Sequence, residues 1–295
     1  MTAMEAHKWT PPAVTAAAMA LLVVAGLIGW VGASHADAPS FVNSTAWLSW
    51  LVLSGLALNV FAALLAGSVL VLRSRERWGL GASRRLRPYL FCSIAFVVLL
   101  IVVRLLTGGR NPDLPVTGLP LRTGAILGMG MLACIPWLAM VWLAHATVLA
   151  TDVEHGDAVD VANDLARLWR LVVVIVSAFT AVVVVAILCS GALRAAFLFA
   201  HPDRSDEFPP QNVLLYGAIF AILLALITVP LIASWRSRAL RLVETVAPTP
   251  SPERTSLETQ LQLNLPLLKN PLTALNVFAP LVTSVLAAFI PQLGK

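Results

Sequence analysis

The chain has 295 residues, 59% of them hydrophobic and 12% charged, with a formal net charge of +5 and a mean hydropathy of +0.85. A soluble domain carries about twice that share of charge. The apolar residues fall in long blocks with Arg residues beside them, which reads as a membrane protein with orientation signals and excludes nucleic acid as the partner.

Residues 1–12 form a polar start, and residues 13–33 read as the first span. Gly26, Gly29 and Gly32 allow a neighbouring helix to approach closely. Ser34-His35-Ala36 resembles a signal-peptidase site. The apolar stretch before it exceeds the roughly 7–15 residues of a cleaved signal core, so a retained span is expected.

Residues 47–72 form the second expected span, opened by Trp47 and Trp50 at the interface. Asn59, near its middle, is expected to hydrogen-bond a neighbouring helix or line a pore. Arg73, Arg75, Arg77, Arg84, Arg85 and Arg87 follow at once. So dense a basic loop stays on the cytoplasmic side and meets anionic headgroups.

The third span is expected at residues 88–107, with Arg104 snorkelling near its outer end. A Pro-rich outer loop leads to the fourth span, residues 122–150. Gly124 with Gly128, and Gly130 with Cys134, have the small-xxx-small spacing of close helix packing. Pro136 removes a backbone hydrogen bond, so Gly128 and Pro136 mark a candidate hinge. His145 is expected to be a hydrogen-bonded group at the helix end.

Residues 151–170 are the most informative polar stretch. Asp157 can cap a helix on which Asp160, Asp164 and Arg167 share one face and Val161, Leu165, Leu168 and Val172 another. The acids are expected to pair with the Arg loop, giving a cytoplasmic charge layer of Asp160 and Asp164 with the six arginines. Asp152, Glu154, His155 and Asp157 have ligand types suited to a divalent cation, but their spacing matches no EF-hand, and no metal is assigned.

The fifth span is expected at residues 171–193, ending at Arg194, and the sixth at residues 212–234, closed by Arg236, Arg238 and Arg241. The outer loop between them holds His201, Asp203, Asp206 and Glu207, which reads as a solvated turn. Residues 242–256 read as a Pro-rich linker. In residues 257–295, Leu261, Leu263 and Leu265 alternate like a strand, and Asn270-Pro271 opens an apolar segment. That segment is expected to be an interfacial or bundle-packed helix.

The chain therefore reads as all-α: a six-span domain over residues 1–241, a linker and a C-terminal segment. It is expected in a plasma membrane with both termini cytoplasmic. Its Arg-over-Lys bias suggests a GC-rich bacterial source. Cys92, Cys134 and Cys189 lie inside apolar blocks without a CxxC pair and read as buried small hydrophobes.

No GxSxG, HExxH, P-loop or dinucleotide fingerprint is present, and the acids sit in loops, so neither an enzyme nor a cofactor is expected. Arg104, Arg122 and Arg194 near the outer boundary can anchor headgroups or bind a substrate. Two functions remain. One is a channel or transporter-like bundle with Asn59, Ser54, Thr180 and Thr228 lining it. The alternative is an accessory or scaffold protein that binds partners through its cytoplasmic loops and tail. The bilayer is one expected partner, and a homo-oligomer or another membrane protein is the other.

Overall fold

The structure is a computed structural model that describes residues 39–73, 82–106, 113–263 and 271–289. The expected first span at residues 13–33, and Arg75 and Arg77 of the basic loop, lie outside the described residues. The described helices are α1 (Pro39–Val42), α2 (Thr45–Arg73), α3 (Ala82–Leu106), α4 (Leu119–Ala150), α5 (Ala158–Ala200), α6 (Pro210–Val246), α7 (Pro252–Gln260) and α8 (Pro271–Phe289). A 3-10 turn, Ser205–Glu207, lies between α5 and α6. Among the described residues there is no strand.

Helices α2, α4, α5 and α6 are long and apolar enough to cross a membrane, and α3 and α8 carry shorter apolar stretches. The chain is a membrane-embedded helical bundle. Helices α5 and α6 hold 43 and 37 residues, so they run about 64 and 55 Å. The hydrocarbon core is only about 30 Å thick. The surplus of α5 is its polar start, residues 158–170, so the bundle projects beyond the bilayer at that end, here called the Arg-rich end because α2 finishes there at Arg73 and α3 starts there.

Helix α5 is the axis, touching α2, α4, α6, α7 and α8. Its buried Val161, Leu165, Leu168, Val172, Ile175, Phe179 and Val182 recur in alternating steps of four and three, the spacing of a coiled-coil seam. That seam shares one core with Phe61 of α2, Trp137 and Met140 of α4 and Trp235 of α6. At the opposite end Phe41, Trp47, Trp50, Leu114, Val116, Leu119 and Phe197 form a second cluster. Ser44 starts α2 there by accepting the Trp47 amide at 3.2 Å. Helix α3 leans chiefly on α4 and leaves Leu90, Phe91, Ile94, Val98 and Leu105 exposed, a surface suited to lipid tails.

Helix α8 lies in the groove between α5 and α6. Small residues allow it in. A Cβ added at Gly191 would lie 2.7 Å from Ala287 Cβ, and one at Gly217 would overlap the Ser284 side chain and lie 2.8 Å from Pro280 O. This is the close backbone approach that membrane helices favour. Ala287 meets Gly191 and Ala288 meets Arg194, while Ser284 meets Gly217 further down α6. Helix α8 thus runs parallel to α5 and ends away from the Arg-rich end. It is packed within the bundle, not laid on an interface.

Several boundaries differ from expectation. Helix α3 starts at Ala82, so Arg84, Arg85, Arg87 and Pro88 are helical. Alanine and arginine propagate a helix well enough to carry the proline in its early turns. The amphipathic segment and fifth span are one helix, and α6 continues to Val246. The proposed linker is instead a helix junction, because Ser251 caps α7 by accepting the Arg254 amide at 3.1 Å and Pro252 occupies the first turn. The strand-like alternation at Leu261 and Leu263 is a helix-ending turn that buries both. A Cβ added at Gly124 or Gly128 would meet open space, whereas one added at Gly130 would lie 3.3 Å from the Phe61 ring. The close packing on α4 is therefore at Gly130.

Candidate functional site

Where α5, α6 and α7 meet at the Arg-rich end, they enclose a cavity of about 450 Å³. Helix α5 supplies Asn163, Ala166, Arg167, Trp169 and Arg170, α6 supplies Trp235, and the end of α7 supplies Gln260, Leu261 and Gln262. Trp169 and Trp235 stack with ring centroids 4.5 Å apart. Trp235 Nε1 donates to Leu165 O at 2.9 Å, and Trp169 Nε1 donates to Gln262 Oε1 at 3.1 Å. Gln260 donates to Asn163 Oδ1 at 3.2 Å. The wall is therefore two fixed indoles framed by paired amides.

The turn that brings Gln262 there is a Schellman motif. Leu263 N donates to Glu258 O at 2.9 Å and Gln262 N to Thr259 O at 3.1 Å. Such a turn needs a left-handed residue, and Gln262 takes that place with φ 54°. A glycine would fit with less strain. The side chain that accepts from Trp169 is what a glycine would lack.

Among the described residues no carboxylate lines the cavity. Arg167 stands 3.9 Å from Asp164, and both are about two-thirds exposed, so that pair is weak. Arg170 is exposed. An amide-framed cavity with two guanidiniums at its mouth suits an acidic ligand and supplies neither nucleophile nor base. No known protein family, curated protein or solved structure matches this chain.

The candidate metal residues have local duties. Asp152 accepts the Glu154 amide at 3.0 Å and the His155 amide at 3.2 Å, with the His155 ring 3.3 Å away. These bonds, that from the His155 amide foremost, hold the Asp152 carboxyl below its usual range. Asp157 caps α5 by accepting the Val159 and Asp160 amides. Among the described residues no three His, Cys, Asp or Glu side chains gather as a metal group. His201 bonds Asp113 O at 2.8 Å, and Arg204 holds Glu207 in two bonds of 2.7 and 2.6 Å, which ties the two loops at the opposite end together.

Of the candidate pore groups, Asn59 and Thr228 are engaged, while the buried Ser54 Oγ has no partner among the described residues. Asn59 donates to Gly55 O of its own helix at 2.8 Å, not to a neighbour as expected. Thr228 donates to Leu224 O, and Thr180 is buried in α5. Pro136 lies inside α4, which is continuous from Leu119 to Ala150. His145 Nε2 is 3.0 Å from Ser234 Oγ, the helix-end bond expected of it. Ser234 gives its own proton to Pro230 O at 2.8 Å, so the imidazole donates to the serine. A general base must do the reverse.

Several arginines cap helices. Arg238 donates to Thr151 O and Leu149 O at the end of α4, and Arg254 donates to Ala247 O at the end of α6. Arg194, 6% exposed, donates to Phe208 O at 2.9 Å and to Ala288 O at 3.1 Å at the end of α8. Each cation meets orphan carbonyls at the negative end of a helix dipole. Arg194 thus binds protein carbonyls, where a headgroup or a substrate was expected. The sequence did not single out Trp169, Gln260 or Gln262, because only the fold brings α7 against α5.

Proposed function

We propose that this chain is a non-enzymatic accessory protein of a bacterial plasma membrane, docking an acidic segment of a partner membrane protein in the α5–α6–α7 cavity. The observation that carries this is the cavity itself, with Arg167 and Arg170 at its mouth and, among the described residues, no carboxylate in its lining. Supporting it over a conduit, Asn59 and Thr228 direct their donors to their own helices. The Arg-rich end faces the cytoplasm by the positive-inside rule. Helix α8 then crosses the bilayer and leaves the chain's C-terminal end outside.

Two measurements test this. Intact protein purified in nanodiscs is weighed with whatever remains bound, in the wild type and in the pair Arg167→Gln/Arg170→Gln. Docking predicts a stoichiometric partner lost from the pair. Solute flux through liposomes that Asn59→Leu abolishes would put a conduit in its place. For the orientation, Lys295→Cys should react with an impermeant thiol reagent applied from outside intact cells. Reaction only after lysis places α8's end inside and overturns the seventh crossing.

A further inference from the structure

Arg122 stands in the first turn of α4, at the end of the bundle opposite the Arg-rich one. It is 7% exposed. Its Nη2 reaches back to Thr117 O at 3.5 Å, the outer limit of a hydrogen bond. Its Nη1 is buried and has no hydrogen-bond partner among the described residues. A guanidinium does not discharge, and a buried ion without a counter-charge is among the costliest groups a fold can hold.

The helix around it makes the positive potential stronger. Helix α4 begins after Gly118 with no side-chain cap and no acid in its first turn. Its leading amides and the positive end of its dipole therefore add to the arginine's charge. Among the described residues no carboxylate forms an ion pair with Arg122; of the nearby loop acids, Asp113 is 3.6 Å from Arg204 and Glu207 pairs with Arg204. Trp47 and Trp50, stacked at 4.9 Å, lie at the same end but are buried in the second cluster.

We propose that Arg122 and the first turn of α4 form an oxyanion site for a phosphate group, filled by a phospholipid headgroup of the adjacent leaflet. The guanidinium donates to phosphate oxygens in parallel, and the helix N-terminus supplies further donors. A lipid phosphodiester and free inorganic phosphate share this chemistry, and only the lipid is held beside the site by the bilayer.

The test uses full-length protein delipidated in a phosphate-free maltoside detergent. Thermal midpoints are titrated with phosphatidylglycerol and, separately, with sodium phosphate at matched ionic strength. The proposal expects the lipid to raise the wild-type midpoint, with apparent affinity roughly tenfold weaker in Arg122→Gln and unchanged in Arg241→Gln. A rise with inorganic phosphate but not lipid, lost in Arg122→Gln, keeps the oxyanion site and overturns the lipid as its occupant. No rise with either, or a rise that Arg122→Gln retains in full, overturns the site. If Arg122→Gln does not fold, arginine ¹⁵N to ³¹P dipolar coupling in lipid-bound wild type decides: a coupled Nη pair absent from Arg122→Lys supports the site, and no coupling overturns it.

Discussion

Trp169 and Gln262, on different elements, hold each other in place: the indole Nε1 donates to the amide oxygen at 3.1 Å while the Gln262 backbone stays left-handed at φ 54°. That backbone costs a residue with a Cβ about 1 kcal/mol. An indole left without its acceptor costs about 1–3 kcal/mol. Gln262→Gly relieves the first and incurs the second, while Gln262→Ala keeps the strain and loses the bond. The expected order of stability is wild type, then glycine, then alanine, with about 1 kcal/mol between the variants. Thermal unfolding followed by Trp fluorescence reads it, and an alanine variant as stable as the glycine one would refute the strain argument.

The seat of α8 depends on Gly217 and Gly191. An added methyl at Gly217 overlaps Ser284 and crowds Pro280 O, so Gly217→Ala should destabilise by about 1–3 kcal/mol. Removing the Ser284 side chain opens half of that space. A double-mutant cycle of Gly217→Ala with Ser284→Gly should therefore show favourable coupling of at least about 0.5 kcal/mol. Simple additivity in denaturation by SDS would mean the two helices do not meet there.

The all-α membrane bundle was legible because apolar blocks and flanking charges are local signals. Asp157 as a cap was legible for the same reason: a side chain bonding amides two and three residues ahead depends on sequence alone. Residues 242–256 were read as a linker for their proline content, yet Pro252 follows a serine cap and starts a helix. Arg194 was misread because a charge at a span's end satisfies either lipid or protein, and only the position of α8 decides. The cavity was invisible for a stronger reason, since Gln260 and Gln262 reach Asn163 and Trp169 only after α7 folds back on α5.

Arg194 and Arg238 both cap helices, and their burial sets different costs. Arg194→Met leaves Phe208 O and Ala288 O without their donor in a buried setting, an expected loss of about 2–3 kcal/mol. Arg238→Met exposes Leu149 O, already at a wet surface, for about 0.5–1 kcal/mol. Both losses should appear in thermal midpoints. Proteolysis should separate them further, with Arg194→Met alone accelerating cleavage near residue 290. Equal costs for the two variants would show that Arg194 is solvated and α8 is not held by it.

Asp152 gives the loop between α4 and α5 a pH dependence of known sign. Its carboxylate is held below the usual range by the His155 and Glu154 amides, so the folded chain prefers it ionised. The contribution is complete above the unfolded value of about 3.9 and is lost as pH falls through the lower folded value. Asp152→Asn keeps an acceptor and removes the titration. The stability difference between wild type and Asp152→Asn should be flat at neutral pH and change only below about pH 4. Because the group is fully exposed, the change should be small and shrink further in high salt. Thermal midpoints across the acid range, at low and high ionic strength, measure both features. A difference that changes near neutrality instead would show that the amide bonds are not what sets the loop's pH dependence.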